Sequence, residues 1–111
     1  MSHCEIRVGG QGVGHANLAN TYLARMRGYM FRRAARSPDA ILFERCAGIH
    51  MVFVTTPLLV FLFDKDRGFL KARRALPFVG LVWHPKAHFV LEVLPGRLAI
   101  SLDDGAKISW H

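Results

Sequence analysis

The segment Ile49–Asp66 constrains the fold more than any other part of the chain. Met51–Thr56 and Leu58–Phe63 carry no charged residue, and Pro57 stands between them. A membrane helix needs about 20 apolar residues to cross the hydrocarbon. Met51–Phe63 falls short of that, and Pro57 would remove a helical hydrogen bond from its middle. An amphipathic helix would show a polar face, and the run offers only Thr55 and Thr56. Val52, Phe53, Val54, Val60, Phe61 and Phe63 are β-branched or aromatic, which favours extended chain. The block therefore reads as two strands buried on both faces, or as one strand broken at Thr56–Pro57. Asp64-Lys65-Asp66-Arg67-Gly68 is a turn signal, with Gly68 expected to supply a positive φ. Phe69–Arg73 resumes as a strand, so Leu58–Phe63 and Phe69–Arg73 are expected to form a hairpin. Leu70 and Ala72 would face inward, Lys71 and Arg73 water.

The flanking sequence is rich in short extended pieces. Cys4–Val8 and His15–Ala19 read as strands joined by Gly9-Gly10-Gln11-Gly12-Val13-Gly14. That loop lacks both the Lys-Ser/Thr ending and the spacing of a phosphate cradle, so a hairpin connection is expected. Asn20 or Thr21 can cap a helix running to about Arg27, with Leu18, Tyr22 and Met26 on one face and Gly28 at its stop. Ser37-Pro38-Asp39 is a turn, Ala40–Phe43 a strand, and Leu76–Ala87 a loop with a short extended piece. His88–Leu94 alternates as a strand, with Phe89, Leu91 and Val93 opposite Val90, Glu92 and Leu94. Pro95-Gly96 and Asp103-Asp104-Gly105 are turns, and Ala106–Trp110 is a last strand. The expected class is α+β and mostly β. It is one compact domain, residues 1–111, of short antiparallel strands in a partly closed or barrel-like sheet, with one short helix near residues 20–28.

A chain of 111 residues can bury about two-thirds of its unfolded surface in one core. Its 51% hydrophobic content excludes a disordered chain. Met1-Ser2-His3-Cys4-Glu5 has neither the basic start nor the apolar run of a signal peptide, so a cytoplasmic protein without a membrane span is expected. Two cysteines, Cys4 and Cys46, do not make a disulfide framework; buried free thiols are expected, with a single bridge the open alternative.

The net charge of +7 is unevenly placed. Arg25, Arg27, Arg32, Arg33 and Arg36 lie in a stretch without an acid, and Lys71, Arg73 and Arg74 form a second group. Such a field fits a polyanion such as nucleic acid or an anionic membrane surface. It equally fits a charge that keeps a very apolar small protein in solution.

The string Arg25-Met26-Arg27-Gly28-Tyr29-Met30-Phe31-Arg32 resembles the "R-x-x-G-L-M-x-R" signature of domain of unknown function family 192. Ile41-Leu42-Phe43, Ile49-His50, Pro57-Leu58 and Val60-Phe61-Leu62-Phe63-Asp64-Lys65-Asp66 follow that family's central block in order and spacing. Val90-Leu91-Glu92-Val93 with Pro95-Gly96, then Asp104-Gly105, resemble its C-terminal block, so the resemblance spans about residues 5 to 110. It implies a compact, mostly β domain with one short helix, and it brings no activity. The chain departs from the family at Leu59, where an Asp is usual, and at Val54, where a Met is usual. If these positions mark a polar site, part of it is lost here.

His50 stands at the entrance to the apolar block, where it can serve as a base, a ligand or an anion contact, or as a satisfied structural histidine. Glu92 lies inside an apolar strand and needs a partner if buried, because an unpaired buried charge is costly. Arg25 is the expected partner. His50, Glu92 and Arg25, with Asp64 at the strand–turn junction, are the candidate small-ligand site. Arg27, Arg32, Arg33, Arg36, Lys71, Arg73 and Arg74 are the candidate polyanion surface. His84 and His88 lack a third ligand for zinc, and Cys46 with His50 lacks the other parts of a nucleophilic site. No metal, cofactor or catalytic residue is expected. The expectation is a non-enzymatic binding or accessory domain for a small molecule or protein, with a pocket near His50. The alternatives are a nucleic-acid or polyanion binder, and an enzyme using His50 and Glu92. Apolar strands with exposed edges also make a homodimer an open reading.

Overall fold

Gly9 and Gly10 set the first element of the fold. In the computed structural model both adopt positive φ, 59° and 84°, as the commonest two-residue hairpin turn requires. They join β1 (Ser2–Val8) to β2 (Gln11–Ala19) as an antiparallel pair. The register slips between Ile6 and Arg7, which leaves Val13 as the extra residue of a bulge. Gly14 follows at φ 152°, and a Cβ there would run into the Leu98 side chain. The glycine-rich stretch is thus a hairpin turn and a bulge. The structure describes residues 2–19, 39–46, 48–50, 54, 56–78, 80–98, 100, 102 and 106–111; for residues 2, 49 and 50 it describes the backbone only.

The remaining strands are β3 (Ala40–Glu44), β4 (Gly48–His50), β5 (Leu58–Phe63), β6 (Phe69–Ala75), β7 (Leu81–Trp83), β8 (Phe89–Val93) and β9 (Ile108–Trp110). Seven form one sheet in the order β6-β5-β8-β3-β2-β1-β9, and β4 pairs with β7 in a separate ribbon. The sheet is mixed, which corrects the all-antiparallel expectation: β2 and β3 run parallel, and every other named pair is antiparallel. Parallel neighbours need a long connection, and residues 20–39 supply it. The barrel-like expectation is corrected too. The sheet is open, and among the described residues its two edges meet at one corner, through a bridge between Gly68 and Lys107 just outside β6 and β9. Phe69 N donates to Ala106 O (2.9 Å) and Ile108 N to Arg67 O (3.0 Å) at that corner. The described residues contain no helix, and the helix expected near residues 20–28 lies outside them.

The Leu58–Phe63/Phe69–Ala75 hairpin forms as expected, with two differences in detail. Arg67, not Gly68, carries the positive φ (68°). Gly68 is needed for proximity: a Cβ there would sit 3.1 Å from an Asp64 carboxylate oxygen. The register also shifts beside Phe63, where Leu62 pairs with Lys71 and Phe63 with Phe69. Leu70 is the bulged residue. The bulge puts Leu70 and Ala72 on opposite faces of the sheet, against different core clusters, rather than together.

The central strands β3, β5 and β8 are apolar on both faces because both faces are covered. Ile41, Phe43, Val60, Leu62, Val90 and Leu94 point to one cluster, which Val82 of the β4–β7 ribbon and Val54 help close. Leu42, Phe61, Phe63, Leu91 and Val93 point to the other, which Cys4, Ile6 and Ile108 from the far edge join. The radius of gyration is 12.5 Å, close to the ~13 Å expected of a single compact domain of this length.

Candidate functional site

β6 is an edge strand, and its sequence places three cations on it within four residues. Along Lys71-Ala72-Arg73-Arg74, Arg73 and Arg74 are exposed and Lys71 is half-buried. Between β6 and β7 lies a cleft of about 310 Å³, lined by these three cations and by Leu76, Leu81 and Val82. No carboxylate is among the described residues that line it. Among the described residues the ion pairs are Arg7–Glu5 (2.8 Å), Arg97–Asp39 (2.9 Å) and His111–Glu5 (3.7 Å), and none involves Lys71, Arg73 or Arg74. The Arg73 guanidinium donates to its neighbour's carbonyl, Ala72 O, at 2.8 Å. Among the described residues, three positive charges thus line one concavity without an acidic partner, an arrangement suited to an anion.

Leu76 and Leu81 supply the solvent-exposed apolar part of the lining, and the exposed Phe78 and Trp83 belong to the same segment but stand outside the lining. Leu76, Phe78, Leu81 and Trp83 are 58, 57, 70 and 55% exposed, and they are the exposed large hydrophobics among the described residues. Gly80 N donates to Leu76 O (3.2 Å), closing a turn in which Phe78 adopts φ 66°. A bulky residue in the left-handed region is strained. The sequence marks this segment only as an irregular apolar loop, so its exposure was not legible before folding placed it at the sheet edge.

The other candidate residues are dispersed. The backbone of His50 pairs with Leu81, which places its strand directly beside the cleft; its side chain lies outside the described residues. Arg25, Arg27, Arg32, Arg33 and Arg36 also lie outside them. Asp64 is occupied within its turn, one carboxylate oxygen accepting from the Asp66 and Gly68 amides at 2.9 Å each. Leu59 is half-buried against an apolar cluster and Val54 is buried, so both departures from the family pattern sit at packed apolar positions. Glu92 is 5% exposed in the centre of β8. Ile41 and Val60 flank it across the sheet, and Arg73 lies one strand further out, level with Val60. Two strand spacings separate Arg73 from Glu92, about 10 Å. Glu92 has no hydrogen bond or ion pair among the described residues, and burial pushes its carboxyl up to about 8.

The histidines and thiols are held locally. His84 Nδ1 accepts from Lys86 N (3.0 Å), and His88 meets the Phe89 ring edge-on at 4.9 Å. Cys4 donates to Ala16 O (3.5 Å) and Cys46 to Gly48 O (3.0 Å), and both remain thiols. Burial raises the Cys4 thiol above its usual range. Among the described residues no three His, Cys, Asp or Glu side chains are grouped to hold a metal. No helix there is long and apolar enough to cross a membrane.

The architecture matches two crystal structures. One is a protein of unknown function from Novosphingobium aromaticivorans DSM 12444, 24% identical, with TM-score 0.72 over 96% of this chain and 84% of that one. The other is a putative transcription regulator from Sinorhizobium meliloti 1021, 20% identical, with TM-score 0.79 over 98% of this chain and 94% of that one. At these identities the likeness is one of fold. No family model and no curated protein matches the chain.

Proposed function

We propose that this protein is a non-enzymatic binding domain that holds a phosphate-bearing ligand in the cleft between β6 and β7. One observation carries the reading: Lys71, Arg73 and Arg74 line that cleft together, with no carboxylate among the described lining residues. Lys and Arg are the residues that bind phosphate oxygens, Arg through a planar fork of donors. The strand of His50 borders the same cleft, which joins the small-ligand expectation near His50 to the basic-cluster expectation. Membership of domain of unknown function family 192 belongs to this reading as well, supported by the three motif blocks in register along the sequence. The enzyme reading has less support, since Glu92 is enclosed between Ile41 and Val60 and does not line the cleft.

A labelled single-stranded oligonucleotide is a convenient polyphosphate probe, read by fluorescence anisotropy. With three phosphate contacts and a slope of about 0.7 per contact, affinity should fall about 20-fold between ~50 and ~200 mM salt. The triple variant Lys71→Glu, Arg73→Glu, Arg74→Glu should abolish binding. Absence of binding at low salt, or equal binding by the triple variant, refutes the reading.

A further inference from the structure

The exposed large hydrophobics of the described residues all belong to one segment, 76–83; Leu76 and Leu81 line the basic cleft, and Phe78 and Trp83 stand outside its lining. We propose that this edge of the molecule docks onto an anionic phospholipid surface. Leu76, Phe78, Leu81 and Trp83 would enter the headgroup–acyl boundary while Lys71, Arg73 and Arg74 contact headgroup phosphates. The inference rests on the anion-binding reading and specifies its ligand.

Three observations favour lipid over other occupants. First, the exposed side chains are half aliphatic, and Leu81 is the most exposed at 70%. Leucine gains from leaving water for an apolar phase, whereas it offers no flat π-face for a nucleobase to stack on. Second, Phe78 is held at φ 66° inside a closed turn and remains 57% exposed, so the backbone is strained without burying the ring. Strain of this kind persists where the surroundings impose it, and it clusters at ligand clamps and binding sites. Third, Lys71, Arg73 and Arg74 line one cleft together with the exposed Leu76 and Leu81, in the segment that also carries Phe78 and Trp83. Cations beside an exposed Trp, Phe and Leu set match a membrane interface, where aromatic rings sit at headgroup depth and basic residues meet anionic lipid. A second copy of the chain is a poor occupant, because a two-fold contact there would set Lys71, Arg73 and Arg74 against themselves. Peripheral docking needs no spanning helix, so the absence of one among the described residues does not oppose it.

The test is co-sedimentation of the full chain with vesicles of phosphatidylcholine alone and with vesicles enriched in phosphatidylserine, alongside the oligonucleotide assay. Three cations at an anionic surface should favour the serine-containing vesicles by about a hundredfold. Trp83 emission should shift to shorter wavelength on binding. Phe78→Ser with Trp83→Ser should weaken vesicle binding by at least about tenfold, the effect of removing two buried aromatic anchors, and leave oligonucleotide affinity unchanged. Circular dichroism and Trp110 emission report whether the variants remain folded. Oligonucleotide binding without vesicle binding overturns the lipid assignment and leaves the anion cleft standing. Oligonucleotide binding that is lost with Phe78 and Trp83 also overturns it, in favour of a base-stacking surface. Equal binding to neutral and anionic vesicles overturns it as well. Failure to bind either probe overturns both this inference and the reading beneath it.

Discussion

Glu92 makes the folded state sensitive to pH in a window where few buried groups act. Its carboxyl sits at the centre of β8, between Ile41 and Val60, where burial raises it from 4.5 to about 8. Between those values the unfolded chain releases the proton and the folded chain keeps it. Stability from this group is therefore complete below pH 4.5 and is lost as pH rises toward 8. At 1.36 kcal/mol per pH unit the whole loss is about 5 kcal/mol, and the part between pH 5 and 7 is about 2.5 kcal/mol. The second figure depends mainly on the unfolded value, since both pH values lie below the folded one. For a domain of this size it corresponds to about 10 °C in Tm. Two other shifted groups among the described residues fall outside the window. Arg7 holds the Glu5 carboxyl below its usual value, so its stabilisation is lost only as pH falls below 4.5, and the Cys4 thiol acts above 9.0. The assay is urea denaturation followed by tryptophan emission at pH 5, 6, 7 and 8, for wild type and Glu92→Gln. Subtracting the variant removes every other titration, so the difference should shrink steadily for wild type as pH rises. Glu92→Leu should exceed wild type in stability at pH 8, because it needs no hydrogen bond. Parallel curves for wild type and Glu92→Gln would refute the argument. Together with a pH-independent loss of about 3–5 kcal/mol, they would mean that the carboxylate is ionised against a cation, as the sequence suggests for Arg25.

Three further outcomes follow from the turns and close approaches. Asp64→Ala removes two amide contacts of 2.9 Å and should cost about 1–3 kcal/mol in urea denaturation. The Arg67 guanidinium lies 4.0 Å over the Trp110 ring, at a residue with φ 68°; Arg67→Ala should lose about 0.5–2 kcal/mol and shift Trp110 emission. Arg67→Gly should recover about 1 kcal/mol of that loss, because glycine tolerates the positive φ. Gly48→Ala would drive a Cβ into Trp83 and the Val82 carbonyl. It should separate β4 from β7, weaken oligonucleotide binding at the cleft that Leu81 and Val82 line, and raise Trp83 quenching by iodide.

What could be read from the sequence was local. The Asp64–Gly68 signal and the apolar runs beside it defined the β5–β6 hairpin, since turn chemistry and strand propensity act within a few residues. The alternation of Phe89–Val93 with Glu92 on the Val90 face was equally legible, because side chains of a strand alternate by necessity. The bulge at Leu70 was not: one inserted residue leaves the pattern Leu-Lys-Ala-Arg unchanged while reversing which face each side chain meets. The positive φ passed to Arg67 because Gly68 is required where Asp64 approaches, and sequence alone does not show which of two constraints a glycine serves. Strand partners were out of reach for a similar reason. Periodicity shows that a segment is extended, and it carries no information on the parallel pairing of β2 with β3 or on the β4–β7 ribbon.

The position of each charge in the sheet decides what it can do. Glu92 stands on a central strand, where both faces are covered, and the physics there drives it to neutrality. A neutral, enclosed carboxyl affects stability and offers little to a ligand. Lys71, Arg73 and Arg74 stand on the edge strand β6, where Arg73 and Arg74 are exposed to water. Edge cations also discourage another chain from adding to the sheet, but that role needs only charge along the strand. It does not account for the apolar segment 76–83 held open beside the same cations, with Phe78 strained and exposed. Edge protection alone predicts that charge-neutral replacement of Phe78 and Trp83 by serine changes no binding property. Docking predicts that the same replacement removes vesicle affinity while the cleft still binds phosphate.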